Sequence, residues 1–423
     1  MSCFERVRFD HNSRRTFYTP VSKVLGGRGP RHLQPRAQAR HLHGTPADQQ
    51  MADEDSTSAL RIAIVAPSLA ILGGQAVQAQ RLLEGWRDDR NVRAFLVPIN
   101  PEPKAWLRPL TRIKYVRTLI TQLSYLPLLV RSIPRADVVH VFSASYWSFV
   151  LAPLPAVIVS RIFGRPVVLN YHSGEAPDHL RRSGLARYTL GVVDRNVVPS
   201  PFLQDVFADH GIEAQVIPNT IDHERFRFRE RDPLRPRLLS TRNFEPLYGI
   251  ECTLRAFRRV QDRFPEATLT LVGSGSQDAA LRGLATDLGL RGVTFAGRVD
   301  PAQIHAYYDA ADIYVQTPTI DNMPCSILEA SAAGLPIVST EAGGVPAMLT
   351  DGVHALLAPI GDADMIASHV ATLLDDPERA RQMARAAYEL TDRYRWSAVR
   401  DTWLAVYRGT QRPITVEAQT RPA

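Results

Sequence analysis

Three observations predict two doubly wound α/β domains in series. The 423 residues exceed what one ordinary hydrophobic core takes and suit two domains of roughly 150 to 200 residues. From Leu60 onward, short continuous apolar runs alternate with longer stretches of helical period, as expected for strands buried on both faces of a parallel sheet. The runs form two series, and several end in glycine-rich loops, like the strand-to-helix turns of doubly wound sheets. Ligands of such folds sit at the carboxyl ends of the strands, here in the cleft between the two units.

The first series, 59–225, opens with LRIAIVAP (60–67), followed by a loop with Gly73 and Gly74 and the helical QAVQAQRLLEGW. Further strands are predicted in VRAFLVP (92–98), ADVVHVFS (136–143), PVVLNYHSG (166–174) and RNVVPS (195–200). After AQVIPNTIDHERF (214–226) the charged RFRERDPLRPR reads as an interdomain linker, set at 226–236. The second series, 237–390, contains RLLSTRN (237–243), TLTLVGSGS (268–276), VTFAGRV (293–299), DIYVQTP (312–318) and LPIVSTEAGG (335–344). A helix over 391–409 is expected to pack back toward the first domain, with 410–423 as a tail.

Composition excludes several classes. The 45% hydrophobic and 22% charged content is that of a soluble globular protein. Residues 1–50 hold nine Lys/Arg against three Asp/Glu, so nearly all of the net charge of +7 belongs to that segment. The body therefore has no general electrostatic footprint for nucleic acid. Residues 1–58 lack hydrophobic periodicity and read as a disordered basic tail, or as sequence ahead of a true start at Met51. Cys3, Cys252 and Cys325 are widely spaced, which predicts neither a disulfide framework nor a zinc site and fits a reducing, cytoplasmic setting. SYWSFVLAPLPAVIVSRIFG (145–164) contains Pro153 and Pro155 and falls short of the roughly 20 apolar residues of a membrane span. RTLITQLSYLPLLVRSIPR (117–135) is amphipathic. Both read as helices of the first domain, with peripheral membrane attachment left open.

The chemistry concentrates in TPTIDNMPCSILEASAAGLPIVST (317–340), a helix pattern followed by an apolar strand. Asp321 precedes the helix and Glu329 lies inside it, among small and apolar residues. With Pro324 at or near the first helical position, the N–H groups of Cys325, Ser326 and Ile327 point out of the helix end. They form an anion site suited to phosphate. Glu329 lies about 7 Å further along the axis. A diphosphate at the helix end thus has a carboxylate on either side, each able to accept hydroxyl groups. One helix could grip a sugar, a diphosphate and a ribose in order.

Here the sequence resembles the retaining glycosyltransferases of family 4, whose GT-B fold is two Rossmann-like domains facing a cleft. The resemblance covers roughly Leu60 to Tyr407. It implies a first domain that takes the acceptor and a second that takes the nucleotide sugar. The family has two acidic residues separated by seven, here Asp321 and Glu329. By the resemblance Glu329 holds the donor ribose and Asp321 a hydroxyl of the transferred sugar. Asn322, Met323, Pro324, Cys325 and Ser326 supply contacts to sugar and phosphates. GGQAVQAQRL matches the glycine loop near the diphosphate, making Gly73 and Gly74 close-approach positions. NYHSGE puts His172 near the donor sugar, VGSGSQDAAL puts Gly273 beside base or phosphate, and AGRV aims Arg298 at the same site. IPNTIDHERF places Asn219 and Asp222 near the hinge as turn residues.

Two departures from the family are visible. STRNFEPLYGIE keeps Arg242, which stabilises the departing diphosphate, but has Tyr248 where the family has a Lys. Tyrosine carries no positive charge at neutral pH, so Arg242 takes more of that work, and reduced activity or an unusual donor is implied. Asp321 replaces the usual Glu and has a shorter reach. Cys325 at a helix start could have a lowered thiol pKa, although packing is the favoured role. No D-x-D segment stands where a metal-bound diphosphate is expected, so a metal-independent transfer is predicted, with no cofactor beyond the donor. The acceptor is a saccharide, a lipid-linked sugar or a small molecule. A weakly active or inactive nucleotide-sugar-binding protein of the same fold, or an epimerase, is the alternative.

Overall fold

The structure is a computed structural model that describes residues 59–70, 73–103 and 113–410. The readings made for 1–58, including the start at Met51, and for the tail beyond Thr410 lie outside the described residues.

Two six-stranded, wholly parallel sheets are flanked by helices. In the first, β1 (Leu60–Ala66), β2 (Val92–Pro98), β3 (Val138–Ser143), β4 (Val167–Tyr171), β5 (Arg195–Val198) and β6 (Gln215–Val216) lie in the order β2-β1-β3-β4-β5-β6. The second contains β7 (Arg237–Ser240), β8 (Thr268–Val272), β9 (Val293–Gly297), β10 (Ile313–Gln316), β11 (Ile337–Thr340) and β12 (Leu356–Ala358), in the order β12-β11-β10-β7-β8-β9. Strand order reverses between β1 and β3 in one sheet and between β7 and β10 in the other. Each reversal opens a crevice at the carboxyl ends of the strands.

Burial explains the continuous apolar runs. In β1, Ala63 and Val65 join one core cluster while Ile62 and Ile64 join another, because successive side chains point to opposite faces. Helices cover both faces. One face of the first sheet is covered by the last helix, Trp396–Thr410. Its Val399, Trp403 and Tyr407, spaced by four, join Trp86, Val92 and Val138 in one cluster. Trp86 and Trp396 meet edge to face at 4.7 Å between ring centroids, and His140 Nδ1 lies 2.7 Å from the Tyr407 hydroxyl. The chain therefore crosses between domains twice, once after β6 and once before this helix.

Several details differ from the sequence reading. β6 and β12 were not expected, because two or three residues give no measurable periodicity. The helix at the end of the chain starts at Trp396, after a short 3-10 turn over Thr391–Tyr394. The charged segment read as a linker is not simply solvated. Arg231 is buried and donates to Tyr308 O at 2.9 Å, to Ala311 O at 3.3 Å and to the carbonyls of Arg229 and Ala333. Five N–H donors on a planar guanidinium can satisfy carbonyls that converge in this way, so the segment is fixed against the second domain. After β11, a Cβ at Gly343 or Gly344 would lie about 2 Å from the carbonyl oxygens of Asp321 and Asn322. Only glycine lets this loop support the 321–322 turn.

Candidate functional site

The two sheet crevices face each other across a cavity of about 920 Å³. β7 delivers Thr241 and Arg242 to it, β8 delivers Gly273, and the turn after β10 delivers Asp321 to Pro324. From the first domain come Gly73 and Gly74 after β1 and His172 to Glu175 after β4. All thirteen residues read in the sequence as catalytic or donor-binding line this one cavity: Gly73, Gly74, His172, Arg242, Gly273, Arg298, Asp321, Asn322, Met323, Pro324, Cys325, Ser326 and Glu329.

The helix Cys325–Ala332 begins one residue later than expected. Pro324 is its cap, at φ −65° and ψ 119°, and Ile327 N–H closes onto Pro324 O at 3.1 Å. The outward pair at this end is therefore Cys325 N–H and Ser326 N–H rather than three groups in a row. The low thiol pKa considered for Cys325 is also corrected. Burial pushes the thiol up, against the smaller opposing pull of Arg81, and Gln78 Nε2 donates to its sulfur at 3.2 Å. Packing is its role.

The two carboxylates are each held by an arginine, which the sequence reading did not foresee. Arg242 Nη2 lies 2.5 Å from Asp321 Oδ2, and Arg242 Nη1 donates to Ser326 Oγ at 3.1 Å. Arg81 Nη2 lies 2.9 Å from Glu329 Oε1, and Tyr308 donates to Glu329 Oε2 at 2.9 Å. In both pairs the arginine side chain is 9% exposed and the carboxylate side chain 12%. Burial is the largest single influence and works against the charge on Arg242, but Asp321 together with Tyr248, Tyr314 and Tyr308 outweighs it, so its pKa stands above the ordinary value. The guanidinium carbon sits 4.1 Å from the centre of the Tyr248 ring. Tyr248, read in the sequence as standing where the family has a Lys, therefore forms a cation–π contact with Arg242.

Arg81 is the functional candidate the sequence reading missed. It belongs to the first domain, yet reaches across to Glu329 while donating to Thr220 O at 2.7 Å. Gln78, one turn earlier, brackets the Thr220 backbone through its amide: Nε2 donates to Thr220 O and Oε1 accepts from Thr220 N–H, both at 2.9 Å. The available signal was a Gln and an Arg three apart, on one face of the helix that follows the glycine loop. Asn219 donates to Met323 O at 2.9 Å, and the Ser200 hydroxyl to Asn322 Oδ1. The Asn322 side chain is thereby turned to the first domain. Asp222 accepts from the N–H groups of Glu224 and Arg225, a turn role as expected.

The remaining residues differ in what holds them. His172 stacks on Phe142 at 5.0 Å between ring centroids, and burial lowers its pKa to about 3, so it is neutral. Its Nε2 has no hydrogen-bond partner among the described residues. Arg298 donates to Ala70 O at 2.7 Å, bridging the domains at the cavity edge. At Gly273 a Cβ would meet Arg242 O at 2.1 Å, whereas at Gly73 it would meet nothing within 4 Å. Gly273 is thus required by the chain's own approach to Arg242. Gly73 leaves open space.

The fold and site define a two-domain Rossmann-like protein with an anion-seeking helix end in its cleft. Residues 222–390 match the glycosyl transferases group 1 family, and residues 72–225 match Glycosyltransferase Family 4. The two matches follow one another along most of the body, and the chain belongs to this GT-B family. It is 26% identical over 311 residues to sulfoquinovosyl transferase SQD2 of Arabidopsis thaliana, covering 67% of this chain and 59% of that protein. Glycogen synthase of Mycobacterium tuberculosis is 29% identical over 300 residues, covering 66% of this chain and 71% of the relative. Among solved structures, Anabaena Alr3699/HepE in complex with UDP and glucose aligns with a TM-score of 0.64 at 20% identity, over 82% of this chain and 99% of that one. This last likeness concerns the fold.

Proposed function

We propose that this chain transfers a sugar from a nucleoside diphosphate sugar to an acceptor hydroxyl, with retention at the anomeric carbon and without a metal ion. The observation that carries the reading is the convergence of Arg242, Asp321 and the free N–H groups of Cys325 and Ser326 on one wall of the cavity. A departing diphosphate at the helix end meets a guanidinium fixed in place and two backbone donors, which is preorganised stabilisation of developing charge. Asp321, oriented by Arg242, accepts a hydroxyl of the transferred sugar. Glu329 has its two oxygens each engaged once, by Arg81 and Tyr308. A carboxylate offers about four lone-pair sites, so it can still accept a ribose hydroxyl.

Given retention, the state of the carboxylates favours a single front-face step over a covalent intermediate: both are held in ion pairs rather than presented as free nucleophiles. A front-face substitution, in which the leaving oxygen assists deprotonation of the acceptor, requires no covalent carboxylate. His172, neutral at the end of β4, packs near the sugar without adding charge. The names of relatives as transferases and synthases, and the UDP and glucose in the Anabaena complex, support the coarser reading of glycosyl transfer from a nucleotide sugar. The acceptor is a saccharide, lipid-linked or small-molecule hydroxyl.

The test is a thermal-shift screen with UDP, GDP, ADP and their sugar conjugates, followed by proton NMR of products formed in EDTA. A ligand at about 100 times its dissociation constant adds roughly 2.7 kcal/mol to the folded form. Stabilisation by one nucleotide class, and a product that keeps the donor's anomeric configuration, is the expected outcome. Inversion would remove the retaining mechanism. The absence of any shift at millimolar nucleotide would remove the transfer reading itself.

A further inference from the structure

Eleven of the eighteen large hydrophobic side chains exposed among the described residues lie between Ile113 and Phe163. On the helix Lys114–Ser132 they are Tyr115, Leu119, Leu123, Leu126 and Val130, with Tyr115 81%, Leu119 60% and Leu123 65% exposed. At about 100° per residue the five fall within an arc of about 80°, a single outward stripe. The other side of the helix is already used: Ile120, Tyr125 and Leu129 are buried. The helix Pro153–Ile162 adds Ile158, Ile162 and the following Phe163 to the exposed set. Tyr125 donates to Ala152 O at 2.9 Å and ties the two helical regions together. Apolar surface on this scale, on a helix that already buries its inner side, marks a contact face.

Charge identifies what it contacts. From Ile113 to Gly174 the sequence has six Lys/Arg and one acidic residue, Asp137. That carboxylate is already paired with Arg61 at 2.6 Å. Arg117, Arg131, Arg135 and Arg161 are exposed on or beside the same two helices. Tyr115 and Trp147, the latter 76% exposed, have an apolar ring with a polar edge. Apolar side chains with exposed arginines and amphipathic rings on the same helices match the layering of an anionic bilayer, with hydrocarbon beneath negatively charged headgroups. No described helix is long and apolar enough to cross a membrane, so the face lies on the bilayer.

We propose that the outer face of the helix Lys114–Ser132, together with that of Pro153–Ile162, docks this chain onto the surface of an anionic lipid bilayer. Arg117, about 160° around the first helix from the middle of the stripe, lines the interdomain cavity. Docking therefore brings one wall of the site within about one helix diameter, roughly 10–12 Å, of the headgroups. On the transfer reading above, and resting on it, the acceptor is a hydroxyl carried at that surface.

The experiment is flotation of the full chain with vesicles of phosphatidylcholine alone and with vesicles holding roughly one third phosphatidylglycerol, at low and high salt. The wild type is expected to float with the anionic vesicles only, and less so at high salt. Leu119→Glu/Leu123→Glu is expected to weaken partitioning roughly tenfold or more, with an unchanged melting temperature. Met365→Glu, at an exposed apolar position of the second domain, is expected to behave as the wild type. The basic segment 1–58 is present in every variant, so the differences report the helix. Equal flotation of wild type and double variant overturns the proposal, as does no flotation of the wild type. A dimer seen by light scattering that the double substitution dissolves also overturns it and assigns the face to a second copy. Flotation needs no donor, and a nucleotide thermal shift on the same samples separates failure of docking from failure of the transfer reading.

Discussion

Replacing Arg81 with methionine and Glu329 with glutamine, singly and together, tests whether the two domains are coupled through this pair. The charges are separated by a 2.9 Å contact with both side chains about nine-tenths buried. At about 4 Å between charge centres and an effective dielectric near 20, the attraction is about 4 kcal/mol, opposed by desolvation of both groups. A net coupling of about 1–3 kcal/mol in the double-mutant cycle is expected. Arg81→Met should cost more than Glu329→Gln, because it also removes the bond to Thr220 O. The assay is urea unfolding followed by both fluorescence and circular dichroism. Of the five tryptophans, Trp86, Trp147, Trp396 and Trp403 lie in the first domain or the helix Trp396–Thr410, and Trp106 falls within residues 59–225 of the sequence, so fluorescence follows that part of the chain. In the variants the two signals should separate as the second domain loses its tie to the first. Single effects that sum to the double effect within about 0.5 kcal/mol would refute the coupling.

Arg242→Ala should lower turnover by about 10²–10³-fold, with nucleotide binding measured by calorimetry as the companion readout; near-normal turnover would move the leaving-group charge elsewhere. Tyr248→Lys, which restores the family's residue, should destabilise by about 0.5–2 kcal/mol, since it exchanges a cation–π contact 4.1 Å from Arg242 for a like charge; a rise in melting temperature counts against this account. Gly273→Ala should cost about 3 kcal/mol or more, because the new Cβ meets Arg242 O at 2.1 Å, and a normal melting temperature would show that the loop yields. Burial holds His140 and His172 neutral down to about pH 3, whereas their ordinary pKa is 6.5. Their contribution is therefore complete above pH 6.5 and is lost as pH falls toward 3, by up to about 1.4 kcal/mol per pH unit for each. Urea midpoints between pH 7 and 5 should fall less steeply in His172→Gln, and parallel slopes would contradict the buried neutral state.

The parts of this site that were legible in the sequence are those whose signal is local. Asp321 before a helix start and Glu329 within the helix could be read as a pair, because their spacing and the small residues around them lie in one stretch. Their arginine partners could not. Arg242 is 79 positions from Asp321 and meets it only once β7 pairs with β10 in the second sheet, and Arg81 is 248 from Glu329 and meets it only where the two domains close. Gly273 was read as bordering a ligand, and it does line the cavity. The steric demand for glycine there comes from the carbonyl of Arg242, a neighbour that strand pairing brings near. The same limit applies to Arg231, whose charge in a Pro-rich run signals solvent until the converging carbonyls of two other segments, 308–311 and 333, are seen.

The packing of Trp396–Thr410 onto the first sheet also bears on how the protein is made. Trp86, Val92 and Val138 are finished as a core only by Trp403 and Tyr407, which leave the ribosome after the strands of both sheets. During synthesis the first domain emerges with one sheet face bare, while the second can complete its own clusters earlier. The order of emergence and the order of consolidation are thus reversed. Truncation near Arg395 is expected to damage the amino-terminal domain, about three hundred positions away in the chain, more than the domain to which the deleted residues are adjacent.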